Sequence, residues 1–190
     1  ISAGATTGTA TFTPTDDSTY EGNETGIVAI STVSGGSANE SGTPQEVTIT
    51  ITENESAPTV TLSTSASSIL ENAGTSLTLT ATLSVATTED VTVGISTSGT
   101  GTEGTDYGTI SDITISAGDL TGTSSFTPTD DSTYEGNETG IIAIATVSGG
   151  SATEDGTQSE TLTITENESS PTITLTSSAS SILENAGSSL

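Results

Sequence analysis

No lysine, arginine or histidine occurs in the 190 residues, and neither do cysteine, methionine or tryptophan. Against 25 Asp plus Glu, this leaves a formal charge of -25 at pH 7 with no cationic side chain to offset it. Such a charge repels polyanions, so neither nucleic acid nor an acidic membrane surface is an expected partner; metal cations are the natural neutralisers. The missing cysteine excludes a disulfide framework and a zinc or redox thiol site. The missing His, Lys and Cys deprive any Ser or Thr nucleophile of its usual base, and the chain is expected not to be an enzyme. Paired carboxylates can hydrolyse glycosides, but the pattern offers no long loops for a cleft and few aromatic platforms. The longest apolar run, residues 140–147, is too short to span a bilayer, so no membrane insertion is expected in this segment.

Apolar residues are also scarce, at 29%, with 3% aromatics, while Ser and Thr supply 75 of the 190 positions. Low hydrophobicity with high charge is ordinarily a signature of disorder. Here, however, β-branched Thr, Val and Ile alternate in short runs, which a disordered chain has no need to do. Leu77, Leu79, Ala81 and Leu83 alternate with Thr78, Thr80 and Thr82, and Val91, Val93 and Ile95 with Thr92 and Gly94. Residues 59–62, 113–115 and 121–126, then Leu162 and Ile164, continue the pattern. In the run after residue 140 the inward face is either Ile142 and Ile144 or Ile141, Ala143 and Ala145. About seven short strands separated by Gly, Ser, Asp and Asn turns predict an all-β, immunoglobulin-like antiparallel sandwich with a thin core.

The chain repeats itself. Residues 1–27 return at 115–141 at an offset of 114, and residues 51–62 and 67–74 return at 164–175 and 180–187 at an offset of 113. Three units follow: 1–57 as the C-terminal half of a repeat, 58–170 as a complete repeat, and 171–190 as the start of a third. The joints Ser56-Ala57-Pro58 and Ser169-Ser170-Pro171 are short, so neighbouring units are expected to abut. The expected whole is a longer tandem array seen through a window.

The most exact repetition is TDDSTYEGNETGI, at 15–27 and again at 129–141. Together with SILENAG, GTGTEGTDYGTI and LTITENES, in that order over one repeat length, it resembles the Calx-β domain family. The resemblance implies tandem Calx-β-type sandwiches with a Ca²⁺ site where these segments meet at one end. Carried over position by position, the implied ligands are Glu71, Asp106, Asp130, Asp131, Glu135, Glu138, Glu166 and Glu168 in the complete repeat. Their counterparts are Asp16, Asp17, Glu21, Glu24, Glu53 and Glu55 in the first unit and Glu184 in the third. Calcium takes six to eight oxygens in irregular geometry, which loop carboxylates at a sandwich end supply. Two departures bear on affinity. Glu-Asn-Glu stands where the family closes on a run of Asp, and Gly140 where an aromatic is typical. The affinity expected is in the extracellular range of roughly 0.1 to 1 mM.

Acids outside these motifs, Glu89, Asp90, Glu103 and Glu154, are expected only to keep the surface soluble. Gly22 and Gly136 are expected either to shape the acidic loop around an ion or simply to make a tight turn, Tyr20 and Tyr134 to pack over its rim, Tyr107 to pack in the core or at a hinge, and Phe12 and Phe126 to fill cores. Asn23, Asn39, Asn54, Asn137 and Asn167 head N-x-Ser/Thr sequons and are candidate N-glycosylation acceptors if the protein is made in a glycosylating secretory pathway.

The function these features predict is a stalk or fibre segment of an extracellular adhesin or surface filament, rigidified by Ca²⁺. Its partners would be neighbouring repeats, other copies in a filament, and glycans. The alternatives are a calcium-sensing regulatory module of a membrane-associated protein, which the resemblance also implies, and a glycan-coated passive spacer.

Overall fold

A computed structural model describes residues 1–184 and residue 187. Among these residues there is no helix, and therefore none long and apolar enough to cross a membrane. In the first unit the strands are β1 (Thr19–Tyr20), β2 (Glu24–Ala29) and β3 (Glu46–Ile51). The second contains β4 (Thr59–Thr64), β5 (Ser68–Leu70), β6 (Leu77–Leu83), β7 (Ala86–Thr87), β8 (Val91–Gly99), β9 (Ile113–Ile115), β10 (Thr121–Phe126), β11 (Glu138–Ser148), β12 (Thr153–Glu154) and β13 (Ser159–Thr165).

The strands between residues 59 and 165 form two sheets, ordered β10-β6-β4-β12 and β5-β13-β11-β8-β9. Alternation drives their packing. In β6 every second residue is buried, Leu77, Leu79, Ala81 and Leu83, while the intervening threonines face outward. Val60, Leu62 and Phe126 on that sheet meet Val91, Val93, Ile113, Ile115, Ile142, Leu162 and Ile164 on the other, giving one contiguous core. Each such side chain contributes roughly 1.5–3 kcal/mol of burial, enough for a thin core to hold. The two faces left open for β11 resolve in favour of Ile142 and Ile144, and a bulge between Ile144 and Thr146 re-registers the strand against β8.

Seven of the ten strands in this unit are those the alternation predicts. The other three, β5, β7 and β12, are two or three residues long, too short to show a period. All three also depart from the antiparallel expectation: β5 pairs parallel with β13, β12 parallel with β4, and β7 parallel with β1 of the first unit.

Gly140 admits the core's one aromatic pair. The rings of Tyr107 and Phe126 stack with centroids 4.7 Å apart, and a Cβ on Gly140 would lie 2.8 Å from Phe126 Cε2. The volume that an aromatic at position 140 would occupy is thus filled from neighbouring segments. Gly140→Ala is expected to cost about 1–3 kcal/mol by overpacking, read as a lower urea midpoint with an unchanged slope.

The first unit reproduces the back of this fold. β2 pairs antiparallel with β3 in the register Glu24↔Ile51, the counterpart of Glu138↔Ile164, and Phe12 lies over Gly26 as Phe126 lies over Gly140. Among the described residues no second sheet faces β2 and β3, so Ile27, Val28 and Val47 are exposed. Phe12, expected in a core, is likewise 43% exposed. Ile173 and Leu175 of the third unit are also exposed. Asn185 and Ala186, within the second copy of SSILENAG, lie outside the described residues.

Candidate metal centre

Topology gathers the motif acids at one end of the sandwich. β11 runs antiparallel to β8 and β13, and β13 runs parallel to β5. The C-terminal ends of β5, β8 and β13 therefore lie beside the start of β11. Glu71 follows β5, Asp106 lies in the loop after β8, Asp130, Asp131 and Glu135 precede β11, Glu138 opens it, and Glu166 and Glu168 follow β13.

Six of these eight acids form two triads, Glu71 with Glu166 and Glu168, and Asp106 with Glu135 and Glu138. In each, three carboxylate oxygens lie within 4.8 Å of one another. Asp131 adjoins the first triad, its backbone N–H donating to Glu71 Oε1 at 3.4 Å. Asp130 belongs to neither triad, although its charge is felt at Glu168. In the first unit Asp16, Asp17, Glu21, Glu24, Glu53 and Glu55 line a cavity of about 350 Å³. That unit has no triad of the same tightness among the described residues, because the counterparts of Glu71 and Asp106 belong to the front of the fold. Glu184 is exposed in a turn.

A chain without cationic side chains must find its carboxylate donors elsewhere, and it finds them chiefly in the backbone. Glu166 is the clearest instance. Its Oε2 accepts the N–H groups of Glu135 and Gly136 at 2.7 and 2.8 Å, and its Oε1 those of Asn167 and Glu168 at 3.0 Å each. The Glu168 amide and carboxyl, with the Glu135 and Gly136 amides, hold its carboxyl down at about 2. Glu53 repeats the arrangement with Glu21, Gly22, Asn54 and Glu55, and is likewise lowered to about 2, chiefly by the Glu21 and Glu55 amides. Gly22 and Gly136 have φ of 75° and 81°, as the loop expectation requires, and these values present their amides to the glutamate.

Asparagine has a part that the sequon reading missed. Asn137 Oδ1 accepts the Glu166 N–H at 3.0 Å, and Asn23 Oδ1 the Glu53 N–H at 2.9 Å, tying loop to strand end in both units. Asn54 and Asn167 spend their Nδ2 on Asp16 and Glu168. All five sequon asparagines are exposed. The signal available in the sequence was the verbatim recurrence of Asn in the loop block and of Glu in the ITENES segment, 30 residues apart in the first unit and 29 in the second.

The expectation that Glu89, Asp90, Glu103 and Glu154 only solvate the surface is corrected for the same reason. Glu103 accepts Thr97 Oγ1 at 2.7 Å and the Ile110 N–H at 3.1 Å, Asp90 the Ala117 N–H at 2.8 Å, Glu89 the Gly150 N–H at 3.2 Å and Glu154 the Gln158 N–H at 2.5 Å. Each fastens a loop by a charge-assisted bond.

The other triad members are less well satisfied. Glu168 is pushed up to about 7, first by the adjoining Glu166 carboxylate and then by burial and further neighbouring charge, and its Oε2 is buried without a hydrogen-bond partner among the described residues. Burial first, then neighbouring carboxylates, raises Glu71, Glu135 and Glu138. In the first unit Glu21 is raised chiefly by Glu24 and Glu55 chiefly by Glu53. An all-oxygen donor set with an orphaned buried carboxylate oxygen suits a hard cation such as Ca²⁺.

These shifts fix the pH dependence of the ion-free protein. Raised carboxyls give stability that is present below their ordinary value of 4.5 and lost as pH rises through the folded values, which for Glu168 reaches about 7. The lowered Glu53 and Glu166 act oppositely, losing their contribution as pH falls from 4.5 toward 2. The chelated protein is therefore expected to melt at a higher temperature at about pH 5 than at about pH 8. Saturating Ca²⁺, which competes with protons for the same oxygens, should reverse that order.

Comparison with known proteins identifies the family. The family model described as the Calx-beta domain matches residues 2–55 and again 53–168. No curated protein matches the chain. Among solved structures, one described as the apo-form Calx CBD1 domain is similar at 17% identity and a TM-score of 0.47, covering 58% of this chain and 98% of that one. With both copies of the match together spanning most of its length, this chain belongs to the Calx-beta domain family.

Proposed function

We propose that this chain is a Ca²⁺-stabilised segment of an extracellular stalk or filament, with the acidic end of each repeat as its ion site. The observation that carries the reading is the convergence of six carboxylates from separate segments on one end of a sandwich that has no cationic side chain to neutralise them. Glu71, Glu168 and the free lone pairs of Glu166 form one set of ion ligands, and Asp106, Glu135 and Glu138 a second. Bound calcium supplies the charge compensation that the chain itself lacks. A weak site of roughly 0.1 to 1 mM would fill only where calcium is millimolar, which favours the extracellular placement. Recurrence of the same block in successive units favours a structural array over a single sensor, and the lack of any His, Lys or Cys favours a non-catalytic role.

Calorimetric titration of the chain with Ca²⁺ tests the reading. Saturable binding in that range, not reproduced by Mg²⁺ at equal concentration, is the expected result. Calcium heats that never saturate, or that Mg²⁺ matches, would overturn it.

A further inference from the structure

The block TDDSTYEGNETGI offers a comparison of one sequence in two settings. Its internal bonding is the same in both copies. Thr19 N–H donates to Asp17 Oδ1 at 2.7 Å and Thr133 N–H to Asp131 Oδ1 at 2.5 Å, and Glu53 and Glu166 clamp the following two amides alike. Yet only in the first copy is the Thr-Tyr pair itself a strand. Thr19–Tyr20 pairs parallel with Ala86–Thr87 of the next unit, in the register Thr19↔Ala86 and Tyr20↔Thr87. Tyr20 is accordingly half-buried, whereas Tyr134 is 45% exposed and Thr133–Tyr134 is unpaired among the described residues. The settings differ in two ways: the first copy has β7 of the next unit beside it, and the second has the front segments of its own unit, with Asp131 N–H on Glu71, and no such strand among the described residues.

We infer that Thr133–Tyr134 is a docking edge for the following copy of this same repeat, which adds its counterpart of Ala86–Thr87 as a parallel strand in the register already set by Thr19 and Tyr20. This deepens the array reading proposed above and rests on it. Three observations fix the occupant. The edge is preformed by the loop's own hydrogen bonds, which are those of the occupied copy. The tether has the same length in both places, since Glu53 to Pro58 and Glu166 to Pro171 each span five residues (58 − 53 and 171 − 166). The receiving surface is also built into the repeat: Thr87 is buried, and a Cβ on Gly150 would meet its Oγ1 at 2.7 Å, so only glycine lets the turn after β11 close over it.

The two surfaces lie at opposite ends of the unit. Tyr134 sits beside the start of β11, a strand of eleven residues, and Gly150 follows its end. At about 3.4 Å per residue this strand spans the sandwich. A contact that joins one end of a unit to the other end of the next is heterologous, and repeating the same operation extends it indefinitely as a filament with a constant screw.

The absence of native cysteine makes cross-linking a clean test, because residues paired across two strands lie within disulfide range. The chain would be extended after Leu190 by a copy of residues 78–170, which completes the third repeat in register because Leu190 matches Leu77 (190 − 113 = 77). Thr19→Cys with Ala86→Cys reports the joint already seen. In a second variant, Thr133→Cys is combined with Ala→Cys at the Ala86 counterpart of the appended copy, and in a control with Thr→Cys at the Thr92 counterpart. The expected result is that both joint pairs oxidise to a similar extent, several-fold above the control. If the first joint links and the second stays at control level, the inference is overturned while the calcium titration still stands. Failure of both joints overturns it as well, by removing the template.

Discussion

Replacing Glu71 with glutamine is expected to stabilise the calcium-free protein at neutral pH and to erase most of its response to calcium. Glu71 is 9% exposed, faces Glu166 and Asp131, and has its carboxyl raised by burial before any other cause. Glutamine keeps the Oε1 that accepts the Asp131 N–H but removes the charge the site must otherwise neutralise. The same change takes an anionic ligand from the proposed ion. At a calcium concentration a hundredfold above the dissociation constant, one site adds about 2.7 kcal/mol. For a unit of this size that is a rise on the order of 10 °C, and the variant should lose most of it. Opposite signs with and without calcium distinguish a ligand from a residue that merely packs. A variant less stable in both conditions, with the calcium increment intact, would make Glu71 a structural acceptor only.

The second large effect belongs to the core. Phe126→Ala is expected to cost about 3–5 kcal/mol. Phe126 is fully buried, stacks on Tyr107 and closes the space over Gly140, where no neighbouring Cβ can move in. Phe126 and Phe12 are also the only phenylalanines in the chain, so the core has little aromatic area to redistribute. Calcium-free, this variant should be largely unfolded at 37 °C, and saturating calcium should recover part of its folded signal, since ligand binding and core packing add when their sites are distinct. Chemical denaturation with and without calcium reads both terms. A cost below about 1 kcal/mol would mean that the aromatic stack is not what holds the two sheets together.

Much of this was legible in the residues. The Leu77 to Leu83 alternation names its own buried face, and the self-match locates the copies, because a strand buried on one side writes a period of two and a repeated unit writes its own length. The acidic end was legible only through resemblance, since Glu71, Asp106, Glu138 and Glu168 are far apart in sequence and nothing in their spacing says that β5, β8, β11 and β13 end together. The short strands β1 and β7 left no trace at all. Two residues carry no period, and this pairing is a property of the joint between units. The acceptor roles of Glu103 and Asn137 were hidden for a related reason: a sequence shows that a carboxylate or an amide is present, but not which backbone N–H lacks an acceptor. In a chain with no lysine or arginine that accounting matters more than usual, because loops fastened elsewhere by ion pairs are here fastened by acids on amides.

The measurement that bears most directly on the calcium reading is the thermal unfolding of the whole chain at pH 7, recorded in calcium at about a hundredfold excess over its dissociation constant and in chelator at equal ionic strength. An ion site at the acidic end predicts a melting temperature higher by on the order of 10 °C in calcium, with no comparable rise in magnesium. Superimposable curves would contradict it, and would leave the converging carboxylates as fasteners of loops alone.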